Sequence, residues 1–546
     1  LAFQKNIDQS FKFLILEVVS QVQEARKALD EGSTVSFEKI DSRDDYIDNL
    51  KAVIESKCFS QLGVSGEVDK STVDLVKAVV VVATNLERMA DYAVNIVRQI
   101  RFYHDKSFIR RYDYASFFAE ILRPMGFVHE AVFNRDIPLG LQVCRSEFVL
   151  DDLYEAVFLK IRDELHSGEN TEDLLTSIFV FRYLERIGDC LLNIGEAVIS
   201  SAIGEKLKIH QFQALEETLE KSRLDKDISD YDFESIWETR SGCRIARVVN
   251  KNHGGASSAA IFKEGRLKKL LAEKESIERW QGLMPGLTPK LFAFEQHGDN
   301  GSLLLECVPG RTLKELVLHS DDDTIMQALH QLARVLKKVW TKTQKPTSVN
   351  AGHFSQLLDR IDDVHRVHPE YRLSPNRIGS VASPSFEEML KRAIPLEVGL
   401  NAPFTVLIHG DLNIDNVIYN DEDQSVHFVD LHRSRETDYA QDVSVFIVSN
   451  FRLQVEDAAV IGRINKVIEQ SCKIASEFAA TNDDRTFEAR LTLGLIRSLA
   501  TSTRFELEEK FAKSMYLRAI FLLEKVIEHD GRPWEEFRLP RQALVH

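Results

Sequence analysis

The chain has 546 residues, 44% of them hydrophobic, more than one core usually holds, so two or three domains are expected. With 28% charged and 9% aromatic residues it is neither disordered nor of low complexity. A formal net charge of -16 argues against a nucleic-acid partner or a general affinity for anionic lipid, which need clustered lysine and arginine.

The six cysteines form no CxxC pair, so neither a zinc framework nor disulfides are expected. The longest apolar runs, such as 78–83, fall far short of the roughly 20 residues of a membrane span, and no signal peptide precedes them. A cytoplasmic location is therefore expected. Leu1 in place of methionine leaves open whether a short N-terminal piece is missing.

From Phe3 to about Leu224 proline is nearly absent and apolar residues recur at three- and four-residue spacing, as in Leu75, Val79, Val82 and Leu86, which predicts an all-helical half. Within it, residues 85–96 and 183–194 share the frame LERxxDxxxNI, 98 positions apart, and IDNL at 47–50 matches LDDL at 150–153 upstream, so a helical module is duplicated. In each copy a glutamate, an aspartate and an asparagine are spaced by four: Glu87, Asp91, Asn95 and Glu185, Asp189, Asn193. At 3.6 residues per turn they stack along one helix face. Two carboxylates one turn apart repel, and a hard or borderline cation between them would stabilise the arrangement. The alternative is a solvated polar stripe countered by Arg88 and Arg186.

On this duplicated frame the helical half resembles the PhoU family of phosphate-regulatory proteins, over roughly residues 1–220. The resemblance implies paired three-helix bundles with multinuclear iron or zinc clusters on the ExxxD pairs. Glu87, Asp91, Glu185 and Asp189 would be ligands, Asn95 and Asn193 would lie beside them, and Asp48 and Asp151 on the preceding helices would complete the shells. It also implies phosphate-signalling partners, a transporter and a sensor kinase, and allows a homodimer.

The charged stretch 219–230 reads as a linker, with a boundary near residue 226, giving a helical domain 1–225 and a second domain 226–546. Three short β-branched and aromatic segments follow, 233–237, 245–249 and 259–263, with a His253-Gly-Gly255 turn before the last. They predict antiparallel strands opening a two-lobed α+β fold, with the smaller lobe over about 230–308. Lys263 ends the third strand, positioned for the α- and β-phosphates of a nucleotide. Its expected partner is Glu273, because Ile277 and Trp280 follow at +4 and +7 and turn that helix face toward the core; Glu275 is the alternative. The segment 240–244, with Ser241 and Gly242, would cover the phosphates. The strand and hinge 302–310 would hold adenine through the backbone of Glu306 and Val308.

The strongest signal is VLIHGDLNIDNVIY (406–419) followed by VHFVDL (426–431). One apolar strand delivers His409, Gly410 and Asp411 into a loop, Asn416 follows five residues after Asp411, and a second strand ends at Asp430. Phosphoryl transfer needs this set: one carboxylate to accept the proton of an attacking hydroxyl, and an asparagine and a second carboxylate for magnesium. Asp411 is the candidate base with His409 beside it, and Asn416 and Asp430 are candidate metal ligands.

The loop resembles that of the aminoglycoside phosphotransferase and choline kinase family over about residues 230–530, which implies ATP, magnesium and a small-molecule hydroxyl acceptor. Asp430-Leu431-His432 replaces the family's frequent DFG or DWE, and Asp442 matches the aspartate that braces the HGD loop. The competing reading is a phosphate-signalling scaffold whose kinase half binds nucleotide without efficient turnover. A protein kinase is disfavoured by HGD in place of HRD and by the lack of an APE-like element after Asp430. The acceptor is not encoded in a motif. Asp359, Asp362, Asp363 and Glu370 would suit a cationic acceptor or form a solvated face, whereas Arg433 and Arg435 would favour an anionic one.

Overall fold

The computed structural model describes residues 2–32, 37–64, 69–204, 209, 218, 231–235, 243–250, 259–372, 377–378, 381–382 and 384–546. The chain divides into two compact units, Leu1–Glu238 with Ile245–Gly254, and Thr239–Arg244 with Gly255–His546.

The first unit is built from α1 (Ala2–Glu31), α2 (Phe37–Val64), α3 (Lys70–Gln99), α4 (Ala115–Met125), α5 (Val128–Asn134), α6 (Ile137–Leu165) and α7 (Thr171–Ile203). Two of these starts are set by caps: Asp69 accepts from the Thr72 N–H ahead of α3, and Asp136 accepts from the Leu139 N–H ahead of α6. Helices α1–α3 form the first bundle and α4–α7 the second. The second copy departs from the first because Pro124 and Gly126 break its leading helix into α4 and α5.

The duplicated frames lie on α3 and α7, whose opposite faces carry Val79, Val82, Leu86, Leu184, Ile187 and Leu191 into a common core. Gly195 lets α6 and α7 approach closely: a Cβ there would stand 2.6 Å from the Gly140 carbonyl oxygen. A short hairpin, β1 (Tyr231–Ser235) paired antiparallel with β2 (Arg244–Asn250), completes the described part of this unit. Among the described residues no helix is long and apolar enough to cross a membrane.

The second unit has the two-lobed α+β character of a kinase-like fold. Its smaller part is an antiparallel sheet of β3 (Ala259–Arg266), β5 (Asn300–Glu306) and β4 (Leu291–His297), with β5 in the middle, and the helix Leu267–Leu283 follows β3 directly. Leu270, Ile277 and Trp280 on that helix are buried, so the spacing used to orient it holds. The larger part is mostly helical and includes the short antiparallel ladders that position the site, Val406–Ile408 with Arg435–Thr437 and Val417–Asn420 between Ser425–Phe428 and Arg311–Thr312.

A buried ion cluster fixes the chain just after these ladders. Arg490 pairs with Asp438 at 2.8 Å and with Asp484 at 2.6 Å, and Tyr439 donates to Asp484 at 2.7 Å. One guanidinium serves both carboxylates, and hydrogen bonds from the Tyr439 hydroxyl to Asp484 and from the Ala440 N–H to Asp438 support the charge that it leaves, as burial of charge requires. They hold the start of helix Ala440–Phe451, which carries Asp442.

Candidate active site

The loop after strand Val406–Ile408 turns at Gly410, whose φ of +83° suits glycine, and a Cβ there would run into the Arg433 carbonyl. Asp442 receives this turn with both carboxylate oxygens, accepting from the His409 N–H at 2.7 Å and the Gly410 N–H at 2.8 Å. Burial pushes Asp442 up to about 7 despite those bonds. His409 is buried, which pushes it down and keeps it neutral; its Nε2 bonds the Val429 carbonyl at 3.0 Å and its Nδ1 accepts the Asp411 N–H at 3.3 Å. That pattern corresponds to the Nε2–H tautomer. Asp411 itself is half-buried, with Oδ2 accepting from Arg433 at 2.9 Å.

Asn416 donates its amide N–H to the Asp411 carbonyl at 3.0 Å, so its amide oxygen is left as an acceptor. Asp430 sits at φ +61°, a left-handed backbone uncommon outside glycine. Its Oδ1 accepts from Lys263 Nζ at 2.6 Å and bonds His432 Nδ1 at 3.0 Å. Lys263 in turn donates to both oxygens of Glu273, at 2.8 and 2.6 Å, with Lys263 2% and Glu273 1% exposed. Glu275, the other candidate partner, is exposed.

Burial pushes Lys263 down, but Glu273 and Asp430 outweigh it and leave the ammonium above its ordinary value. Burial likewise raises Asp430, and His432 and Lys263 outweigh that, holding it well below the carboxylate range. Glu273 is raised by burial. Among the described residues, Glu273, Asp430 and His432 are the metal-type side chains that converge. Asp430 Oδ2 and the Asn416 amide oxygen have no hydrogen-bond partner among the described residues, so both fit a hard cation.

The remaining predicted nucleotide contacts are less complete. Ser241 and Gly242 lie outside the described residues. The Glu306 N–H is spent on the Lys290 carbonyl at 2.9 Å and its carboxylate accepts from the Lys290 N–H at 3.1 Å, which leaves its carbonyl for a base. The Val308 N–H has no bond to the backbone among the described residues.

On the helical unit, Glu87 lies 3.3 Å from Lys51; burial raises both Glu87 and Asp91, and Asp48 raises them further. In the second copy Glu185 pairs with Arg182 at 2.6 Å and Asp189 with Arg186 at 2.7 Å, so part of the stripe is neutralised by arginine. Glu147 on α6, which the motif search passed over, is buried and pushed up to about 7 by burial, then by Asp151, Asp189 and Glu185. Glu147 Oε2 and Glu185 Oε2 are buried without a hydrogen-bond partner among the described residues, so both oxygens are open to a cation. Asn193 does not join this group; it donates to Asn85 at 3.2 Å, tying α7 to α3.

A cavity of about 530 Å³ opens on Asp411 and is lined by Gln356, Arg360, Arg433, Arg435, Arg497 and Arg504 among others. The acidic residues of the insert do not line it. Asp359 and Asp362 are exposed, Asp362 pairs with Arg372, Asp363 with Arg366 and Glu370 with His368; helix His353–Val367 turns Gln356 and Arg360 to the cavity instead.

Residues 14–100 and 125–198 match the model of the PhoU domain family, and residues 225–466 match that of the phosphotransferase enzyme family. A phosphate-specific transport system accessory protein PhoU homolog of Clostridium acetobutylicum is 25% identical over 198 residues, covering 35% of this chain and 88% of the relative. Two solved structures are also similar to part of this chain. An aminoglycoside-3'-phosphotransferase of type VIII has 18% identity and a TM-score of 0.33, covering 54% of this chain and 99% of its own. An ethanolamine kinase of Plasmodium vivax has 13% identity and a TM-score of 0.36, covering 59% of this chain and 89% of its own. By the two family models, the chain matches the PhoU domain in its helical part and the phosphotransferase enzyme family over residues 225–466.

Proposed function

We propose that the domain at 226–546 transfers the γ-phosphoryl group of ATP to a hydroxyl of a small molecule, in a magnesium-dependent reaction. The observation that carries this reading is the buried meeting of the Lys263–Glu273 pair with Asp430, next to a loop that presents Asp411 and is braced by Asp442. Asp411 takes the proton as the acceptor oxygen forms its bond to phosphorus and the bond to the departing ADP oxygen breaks. His409, buried and neutral, orients that loop instead of exchanging a proton with substrate. Lys263 faces the nucleotide phosphates and Glu273 holds it in position. Asn416 and Asp430 would hold magnesium, which when bound neutralises phosphate charge.

The direct test incubates the full chain with ATP, magnesium and a metabolite library, and looks for a mass gain of one phosphate coupled to ADP release. Nucleotide binding without any phosphoproduct would favour the scaffold reading.

For the helical domain we propose iron or zinc on Glu87, Asp91, Glu185 and Asp189, with Asp48, Asp151 and Glu147 completing the shells, and a regulatory role among phosphate-signalling proteins. The purified protein should carry transition metal by elemental analysis. Alanine at all four carboxylates should remove it, and alanine at one pair should remove part. Metal removal should also lower the melting temperature of the helical domain, since ligand binding to the folded state stabilises it. Unchanged metal content in the fourfold variant would leave the stripe a solvated face.

A further inference from the structure

The cavity facing Asp411 is strongly cationic in a chain whose net charge is -16. Six arginines line it, Arg360, Arg433, Arg435, Arg452, Arg497 and Arg504, against a single lining carboxylate, Asp411. Arg433 is paired with Asp411 and Arg452 with Glu506. Among the described residues the other four have no salt bridge. Arg435 donates to Gln441 at 2.9 Å, and Arg504 donates to the Thr501 carbonyl at 2.8 Å with its guanidinium 4.2 Å over Phe505.

Arg497 is the most telling. It is 4% exposed, donates to Gln356 at 2.9 Å, Ser498 at 2.9 Å and Ser444 at 3.2 Å, and its Nε is buried without a partner. Burial, then Arg360, push it down to about 9, and burial and Arg360 push Arg504 down to about 10; both remain charged at neutral pH.

Holding several guanidiniums together without salt bridges costs free energy that an entering anion would offset, with Asp411, Asp359 and Asp363 acting on them only at longer range. Guanidiniums bind phosphate and carboxylate oxygens through paired N–H bonds, and a single negative charge would leave most of this group unmatched. A cationic amino alcohol or aminosugar would be repelled from the same wall. Arg497 and Arg504 also lie beyond the residues matched by the phosphotransferase family model.

Resting on the kinase reading above, we propose that the acceptor is a small hydroxylated dianion, carrying either a phosphate monoester or two carboxylates, bound by Arg360, Arg497 and Arg504 with its hydroxyl toward Asp411. In such a complex the anion also competes for Arg433 and releases Asp411 to take the proton.

The test gives the full chain ATP and magnesium with three panels: glycerol 3-phosphate and hexose 6-phosphates; malate and tartrate; choline, ethanolamine and an aminosugar. Phosphoproduct is read by mass, and binding of glycerol 3-phosphate, malate and ethanolamine is measured by calorimetry without nucleotide. The first or second panel should exceed the third at least a hundredfold in kcat/KM, and which of the two leads identifies the anionic group. Arg360→Gln/Arg504→Gln should raise the KM for that dianion ten- to a hundredfold and leave the KM for ATP unchanged, with partial rescue by Arg504→Lys in the Arg360→Gln background.

Turnover of the third panel without dianion binding overturns this proposal and leaves the kinase reading standing. Dianion binding that the arginine variants abolish, with no phosphoproduct from any panel, keeps the anion assignment and removes the kinase reading. No dianion binding at millimolar concentration, or a variant that raises the KM for ATP instead, overturns the proposal.

Discussion

Asp411→Asn is expected to lower kcat by roughly three orders of magnitude while nucleotide affinity stays within a few-fold of wild type. The carboxylate accepts one bond from Arg433 through Oδ2, and an amide oxygen can accept the same bond, so the loop geometry should survive the substitution. The amide cannot take the hydroxyl proton. Asp411 also makes none of the contacts that join Lys263, Glu273 and Asp430, so the nucleotide side is left intact. Single-turnover rates with the identified acceptor, alongside calorimetric ATP binding, separate the two effects. A rate near wild type would remove Asp411 as the base, and a parallel fall in ATP affinity would make it a nucleotide ligand.

Asp430→Ala is expected to abolish detectable turnover and to weaken Mg-ATP binding by at least tenfold, because it removes a carboxylate held ionised at the phosphate site. The fold should tolerate the loss, since Lys263 and Glu273 still neutralise each other. Alanine at the left-handed φ of +61° adds a backbone cost on the order of 1 kcal/mol, too small to unfold a domain.

Lys263→Met gives the contrasting result. It leaves Glu273 and Asp430 facing each other without the ammonium between them, and stranding buried charge in this way costs about 3–5 kcal/mol. Its melting temperature should fall several degrees below that of Asp430→Ala. Equal melting temperatures, or equal Mg-ATP affinity in Asp430→Ala and Asp411→Asn, would refute the division of roles.

Local pattern was sufficient wherever neighbouring residues fix the geometry. The 3.6-residue period places Glu87 and Asp91 on one face of α3 and Glu185 and Asp189 on one face of α7, and the same period turns Leu270, Ile277 and Trp280 inward and with them Glu273 toward Lys263. The HGD turn is local too, since the glycine in it is required by a positive φ. Glu147 stands four residues before Asp151, the same ExxxD spacing on α6, but its approach to Asp189 and Glu185 comes only from α6 packing against α7.

The cavity arginines show the boundary most sharply. Arg490, Arg497 and Arg504 recur every seven residues along an otherwise uncharged segment, a spacing visible in the sequence that puts Arg490 and Arg497 on one face of helix Phe487–Ser502, with Arg504 in the tight turn that follows it. Their fates differ. Arg490 meets Asp438 and Asp484 and is fully compensated inside the core, whereas Arg497 and Arg504 reach a cavity that supplies no such partners. Likewise the acidic residues Asp359, Asp362 and Asp363 surround Arg360 in the sequence, yet Arg360 is the one turned to the cavity. Helical spacing sets which side chains share a face, but the counter-charge each one meets comes from segments tens of residues away, and that pairing exists only once the chain has packed.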